Sequence, residues 1–593
     1  ATATQNSITT MTGLTTVGAT GTQSAIAGIP FYSDGSTSLY THNVSGTDDT
    51  ANYNTAIGYT ALDAVTTGDS NTAMGYAALG ANNAGYDNVA VGHNALLVNT
   101  GGHDNVAVGN GSLAANSTGN NNTAIGRVAL AANTTGDHNL AIGQSALAAN
   151  TTGTRNTAIG YQAYDHSDTE NDNLAIGYQA MTTNTAGGTK NVAIGNYALD
   201  AHTSGDDNTA VGYISLSANT TGSNNTAVGS WSLTANTTGI ANTAVGVDSM
   251  DSNTDGNYNT AVGMDALQAN SSGHRNIAVG HTALHNATAS DCVAVGQQAG
   301  YSVSTGTRII AIGTNAYDDS DTENDNIAIG YNAMTTNTAG GQSNVAVGNY
   351  SMDATTSGDY NVAVGHNSLT GLTEAGFNVA VGQSALDTLT EGNHNIGIGY
   401  GTGGHEVQMT TAAQNVLVGS LCDVSAAAST NQIVIGYNVM GNTNESFVFG
   451  NAGTDSAIAF GATSISAPSD IRLKENISDD TAGLSFINDL RPVTFNWKKE
   501  KDIPEEMRTH VAGSEERYNN DKLNHGFIAQ EVKETINNHP EIKDGFKMWV
   551  EDEIDGRQRI AEGALVPMLV KSIQELSQKV EAQQNEIDAL KDA

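Results

Sequence analysis

Groups able to do chemistry are sparse in this sequence, and most are spaced wrongly for it. The histidines upstream of residue 468, among them His93, His103, His138, His202 and His274, fall in turn or post-glycine slots and form no ligand cluster. They read as solvated loop residues. Two acidic loops, Asp165–Asp172 and Asp318–Asp325, carry alternating carboxylates that could chelate Ca2+ but lack the glycine of an EF-hand loop. Solvated turns are the expectation there, and no metal or cofactor is assigned. Cys292 and Cys422 lie far apart, have no metal spacing, and are expected to be free, buried thiols. One stretch differs. In Pro468-Ser469-Asp470-Ile471-Arg472-Leu473-Lys474 a hydroxyl, a carboxylate and two cations stand together. Taken alone, Ser469-Asp470 also reads as a helix cap.

That stretch is the seam between two kinds of sequence. The 593 residues carry a formal charge of −38, which argues against a nucleic-acid partner, since phosphate binding needs clustered Lys and Arg. Residues 1–468 hold only Arg127, Arg155, Lys190, Arg275 and Arg308, and proline is absent from 31 to 467. Excluding proline over such a distance suits continuous β structure, because proline removes a ladder donor. No run of 18 apolar residues occurs, so no membrane insertion is expected. Ala1 opens no signal-like apolar core. Either the chain is trimmed or an upstream attachment region is missing.

The first part is one repeat. Asn54, Asn71, Asn88, Asn105, Asn122, Asn139, Asn156 and Asn173 each precede an A-I/V/M-G core, and every step is 17 residues. The series runs on through Asn415 and Gln432, with the consensus N-T/V-A-I/V-G-x-x-A/S-L-x-x-N-T-T-G-x-x. The block Ala163–Asn208 recurs as Ala316–Asn361, offset by 153 residues or nine periods. A period this short excludes helical hairpins and propeller blades and fits one turn of a narrow β-solenoid. Each turn is expected to hold two short strands, T/V-A-I/V and A/S-L, with Asn-Thr-Thr-Gly supplying turn chemistry and the asparagines stacking into a polar ladder. Roughly 23 such turns, about 4.8 Å apart, give a rod on the order of 110 Å long. In the first strand the T/V and I/V positions share one face and alanine takes the other. A narrow solenoid has one lumen, so the second apolar face calls for a neighbouring chain.

The N-x-A-I/V-G core over roughly 50–450 resembles the head repeats of YadA-like trimeric autotransporter adhesins, which implies a trimer of parallel β-rolls. This period is longer than theirs, and their C-terminal membrane barrel is missing, which makes a bacterial autotransporter unfavoured. From Ser469 onward the sequence resembles the self-cleaving intramolecular chaperone domain of endosialidase tailspikes, a serine peptidase family of phage fibres and spikes. The resemblance rests on Ser469–Ile477, Leu490–Trp497, His525–Val532 and Leu565–Leu576 in the right order. It implies a Ser/Lys dyad at Ser469 and Lys474 with cleavage between Pro468 and Ser469, and other tail or fibre proteins as partners at the N-terminus; Asp470 and Arg472 are candidate assisting positions, and His525 either assists in the site or orients a loop. The chemistry is sound in outline. A serine hydroxyl needs a base, and a lysine serves only when burial or a nearby cation keeps it neutral. Arg472 would help and Asp470 would oppose. Ser469 follows the scissile bond, so its hydroxyl can reach its own preceding carbonyl, once.

Leu569, Ile573, Leu576, Val580, Ile587 and Leu590 form a 4/3 seam interrupted by Gln583. The usual coiled-coil rule favours two strands for this pattern; both resemblances imply three, and a homotrimer is the expectation. The sequence therefore divides into a connecting region 1–50, a β-roll fibre 51–450, a linker 451–468 and a chaperone and autoprotease domain 469–593 with a terminal helix 565–593. The fold class is mainly β, with a small α+β domain at the end. The function expected is a trimeric virion fibre or spike, made in the host cytoplasm, that attaches to a cell-surface receptor such as a glycan. Trp231 and the variable positions after each glycine are the candidate receptor surface. Rival readings are a bacterial surface adhesin with the same maturation device and a glycan-degrading spike. The latter predicts paired carboxylates in a groove, and no distinctive pair is seen. Joining the two parts has a physical logic: register in a repetitive solenoid is poorly specified, and a non-repetitive trimerising domain would fix the stagger.

Overall fold

The computed structural model describes residues 38–41, 50–184, 186–337, 340–452, 455–461, 471, 474–505, 507, 509–542, 548–551 and 558–592, together with the backbone of Ser24–Ile26 and Ile29–Phe31. Two compact units meet at one peptide bond, 1–468 and 469–593. The first is a β-solenoid. Among the described residues 25 short strands, from Leu39–Tyr40 to Ser446–Asn451, each pair in parallel with the next. Alanine lies on alanine from turn to turn, as in Ala56, Ala73 and Ala90. Ser456–Ala459 then pairs antiparallel with Ser446–Phe449 and ends the stack.

The turn differs from the expectation in one respect. Only the T/V-A-I/V segment is a strand; the A/S-L segment is not. There every second residue is left-handed, as at Thr60 (φ 54°) and Leu62 (φ 52°). A strand would send consecutive side chains to opposite faces, whereas this curl turns both Ala61 and Leu62 inward, fully buried. Each left-handed residue costs about 1–2 kcal/mol. Inter-turn bonds such as Leu62 N to Ala78 O at 3.0 Å and a buried column of mostly leucine and methionine offset that cost.

The lumen is built from columns. Strand alanines and the A-L pairs fill it with apolar atoms, and asparagine occupies two columns where a single ladder was expected. In the outer column Asn54 Oδ1 accepts the Asn71 backbone N–H at 2.8 Å, and Asn71 Nδ2 donates to Gly85 O at 2.8 Å. In the inner one Asn99 Nδ2 donates to Asn82 Oδ1 at 2.7 Å and to Gly102 O at 2.9 Å. These amides satisfy backbone groups that the tight corners leave out of the strand ladder. The glycine closing each strand is fixed by contact as well as by conformation. At Gly75 φ is +138°, and a Cβ would stand 2.4 Å from Gly92 O.

Outside the lumen the solenoid presents an apolar stripe. The I/V position of each strand points outward, with Ile57, Ile125, Val245, Ile312 and Ile398 between 37% and 41% exposed. It runs turn after turn, well beyond the scattered apolar residues that a solvated surface carries.

Besides the 16-residue step from Asn276 to Cys292 and the 20-residue step from Asn395 to Asn415, two turns break the regularity in the same way, one in each repeated block. Tyr164 and Tyr317 replace the core leucine, both buried, and each is followed by an 18-residue step, Asn173 to Asn191 and Asn326 to Asn344. Glu170 and Glu323 stand inside the same two turns, each 3% exposed. Glu170 Oε2 accepts the Asp168 and Thr169 N–H groups at 2.8 and 3.0 Å, and its Oε1 accepts Gly187 N–H at 3.1 Å. Glu323 repeats the arrangement with Asp321, Thr322 and Gly340.

Among its described residues the second unit has three α-helices, α1 (Leu484–Asp489), α2 (Ala529–Asn538) and α3 (Val566–Lys591), and two small antiparallel strand pairs. Its core gathers Phe486, Val532, Ile536, Met548, Leu565 and Met568. Glu575 of α3 accepts the Leu484 N–H at 2.9 Å, capping the otherwise uncapped start of α1.

Candidate functional site

The motifs read from the sequence of the second unit converge in space. Val493–Phe495 pairs with Asn524–Gly526, setting Thr494 opposite His525. Arg491 Nε donates to Glu531 Oε2 at 2.9 Å, and its Nη2 donates to the other carboxylate oxygen, a bidentate fork on the first turn of α2. That pairing holds the Glu531 carboxyl below its usual range. Leu565 and Met568, from the last motif, are buried in the core of the same unit. Beside the strand pair lies an open cavity of about 990 Å3 lined by Phe495, Trp497, Ile503, Tyr518, His525 and Phe527, among others; Lys474 is not among its lining residues. Trp497 packs edge-on against Phe495 and Tyr518 with centroids 5.1 and 5.2 Å away, and its buried Nε1 has no hydrogen-bond partner among the described residues. Sequence reasoning named Trp497 only as part of a motif; the aromatic spacing about it was the available signal.

At the seam, Pro468, Ser469, Asp470 and Arg472 lie outside the described residues. Lys474 is described and exposed, and its backbone N–H donates to Ile471 O at 3.1 Å. His525 is exposed on its strand, at the rim of the cavity. A histidine that the motif reading passed over has the tighter setting. His539, close after α2, packs edge-on against Phe486 and contacts Asp489 Oδ2 at 2.9 Å and Glu541 Oε1 at 2.8 Å. Those two carboxylates, Glu541 foremost, raise its pKa.

Residues 469–539 match the family model described as the chaperone of endosialidase, a peptidase family. The match begins at the residue where the second compact unit begins. No curated protein and no solved structure matches the chain. The chaperone-type domain thus carries the Ser469, Arg491, His525 and Glu531 positions, and the β-solenoid stands before it. The match ends at His539, and α3 follows outside it. Of the seam read on this helix, Leu569, Ile573, Leu576, Val580, Ile587 and Leu590 are 42–72% exposed, while Met568 and Ser572 on another face are buried.

The solenoid offers other outcomes. Among the described residues no group of three His, Cys, Asp or Glu side chains could hold a metal ion. The carboxylate at the centre of each acidic loop is turned inward and occupied by backbone N–H groups. Not all of each loop is a solvated turn, as expected from sequence; Glu170 and Glu323 are structural anions. His202 is a second correction. Instead of lying in a solvated loop it fills the inner asparagine column, fully buried, 3.2 Å from both Asn191 Nδ2 and Asn219 Nδ2. Burial pulls its pKa down to about 4. Both cysteines are free and buried, and burial raises both thiols. Among the described residues no helix is long and apolar enough to cross a membrane.

Proposed function

We propose that this chain is a segment of a homotrimeric virion fibre or spike that attaches to a host surface. In this reading the domain after Pro468 aligns three chains and then cuts itself away. One observation carries it: the chaperone-family match and the second compact unit start at the same residue, Ser469, directly after a solenoid too repetitive to set its own alignment. The uncovered I/V stripe on the solenoid and the uncovered seam on α3 support assembly, since each is an apolar surface that a neighbouring copy would bury.

The cleavage chemistry follows from the residues. Lys474 Nζ, as a neutral amine, takes the Ser469 hydroxyl proton while Oγ attacks the Pro468 carbonyl carbon. The peptide C–N bond breaks, its nitrogen takes up a proton as the α-amine of Ser469, and an ester joins Pro468 to Oγ. Water then hydrolyses the ester, freeing the Pro468 carboxylate and restoring the serine hydroxyl. A lysine acts as base only when desolvated, and Lys474 is exposed in the single chain. The cover it needs comes from the other two chains, which ties cutting to assembly. Arg472 and His525 assist, the former because a neighbouring cation favours the neutral amine, while the Asp470 carboxylate opposes it. Cleavage removes the aligning device and makes the assembled state hard to reverse.

The test is expression of wild type beside Ser469→Ala and Lys474→Ala, resolved under denaturing conditions. Wild type is expected as a 468-residue body and a 125-residue tail, and both variants as the uncut 593-residue chain. A wild type that runs only uncut overturns self-cleavage.

A further inference from the structure

Five consecutive solenoid turns carry an aromatic ring on the corner that follows the strand glycine: Tyr161, Tyr178, Tyr197, Tyr213 and Trp231. Neighbouring rings touch throughout. Tyr161 and Tyr178 stack at 5.2 Å between centroids, and the next three pairs meet edge to face at 5.4, 6.2 and 5.6 Å. Four of the rings are 41–44% exposed, with Tyr197 half-buried between them. The run has ends: the turns before and after place Gln144-Ser145 and Val247-Asp248 at this corner. With a rise of about 4.8 Å per turn the strip is on the order of 20 Å long.

Packing of the lumen does not explain it. The buried core holds alanine, leucine and asparagine columns and none of these five rings. The other residues at the same corner are Gln162, Gln179, Asn196, Ile214 and Ser230, so the strip carries amides and a hydroxyl but no ionic group. Gln179 Nε2 donates to Gln162 Oε1 at 3.1 Å. Asn196 Oδ1 accepts the Tyr178 backbone N–H at 2.9 Å, while its Nδ2 has no partner among the described residues. A row of partly exposed rings, stacked and edge to face on one another and edged by uncharged hydrogen-bonding groups, matches one ligand chemistry well. Sugar rings offer C–H faces to the negative face of an aromatic ring and hydroxyls to amides. A chain of them meets one ring per turn, so weak contacts add along its length. Single-stranded nucleic acid also stacks on aromatic strips, but it needs a cationic groove. Between residues 144 and 248 the only cations are Arg155 and Lys190, and Arg155 is engaged with Asp172.

We propose that this strip is the binding site for a neutral polysaccharide, laid along the solenoid axis; the proposal rests on the attachment reading and names its ligand class. The block repeated nine turns on keeps part of the arrangement, Tyr331, Tyr350 and His366 at 5.4 and 6.0 Å. It has Thr314 and Ser384 where Tyr161 and Trp231 would be, and is a weaker copy.

The full chain is run by affinity electrophoresis through gels cast with dextran, mannan or galactomannan, with anionic alginate as contrast. Wild type is expected to be retarded by at least one neutral polysaccharide and not by alginate. Tyr178→Ala and Trp231→Ala should each weaken that retardation about tenfold, and Tyr258→Ala, which removes an exposed ring away from this corner, should leave it unchanged. No retardation by any neutral polysaccharide, or equal retardation of wild type and both strip variants, overturns the proposal. Staining of a panel of bacterial cells with the labelled full chain judges attachment separately. Equal staining by wild type and strip variants sinks the strip and leaves attachment standing; cells unstained by wild type sink attachment itself.

Discussion

His202 makes one turn of the solenoid sensitive to acid. Its ring is buried neutral among asparagines, with a pKa pulled down to about 4, while in the unfolded chain it takes a proton near 6.5. Above about pH 6.5 both states are neutral and the residue costs nothing. As pH falls from there towards 4 the unfolded chain binds a proton that the folded one refuses, and stability drops. The loss levels off below 4 at about 3 kcal/mol, at roughly 1.4 kcal/mol per unit. His202→Asn, which restores the residue found elsewhere in that column, should flatten this part of the acid dependence. Hydrogen exchange of residues 191–219 at pH 7 and pH 4.5 reads it; equal acid loosening in both proteins would contradict the burial argument. Residue type alone did not mark the burial of this position, since histidine in a turn-rich stretch looks like any solvated loop residue. Its distance from Asn191, equal to that from Asn71 to Asn82 in a regular turn, was the signal that it belongs to the inner column.

At the scale of the turn, what the chain reveals in advance depends on whether a feature leaves a mark in residue types. The strand was legible because an apolar-alanine-apolar triplet ending in glycine says both strand and tight exit. The A/S-L segment was misread as a strand because its backbone hand has no such mark: leucine is not a residue that favours positive φ, yet Leu62, Leu79 and Leu96 all adopt it. Inter-turn contact, not local preference, imposes that conformation. The glycines follow the same logic and separate cleanly. Gly75→Ala would set a Cβ against Gly92 O in a left-handed conformation and should cost on the order of 3 kcal/mol or more. Gly101→Ala meets no atom within 4 Å and should stay within about 0.5 kcal/mol. Limited proteolysis near each site compares them, and similar cleavage rates for the two would count against the close-approach reading. In the second unit the motifs were legible by order and type, and the structure brings three of them together through Arg491, His525 and Leu565. The Ser469 environment lies outside the described residues, so the dyad rests on chemistry and the family match.

For the whole molecule the proposed division of labour makes a direct prediction. Residues 1–468 produced without the tail should give mixed, poorly aligned oligomers and aggregates, because the I/V stripe remains sticky while nothing sets the stagger. Co-expression of the tail as a separate chain should not rescue them. Sedimentation and electron microscopy of the truncated chain test this; uniform trimers at full yield would make the tail unnecessary.

The two matching irregular turns with their inward tyrosine and glutamate would give the proposed side-by-side trimer something its regular turns lack. A neighbour displaced by one rung would set an odd turn against an ordinary one and pack badly. A neighbour displaced by nine rungs, about 43 Å, would bring the Tyr317 turn of one chain level with the Tyr164 turn of the next. For these two turns the hardest error to reject is therefore the nine-rung slide, a vernier coincidence, and guarding against it falls to features that occur once, such as the 20-residue step from Asn395 to Asn415 or the terminal domain.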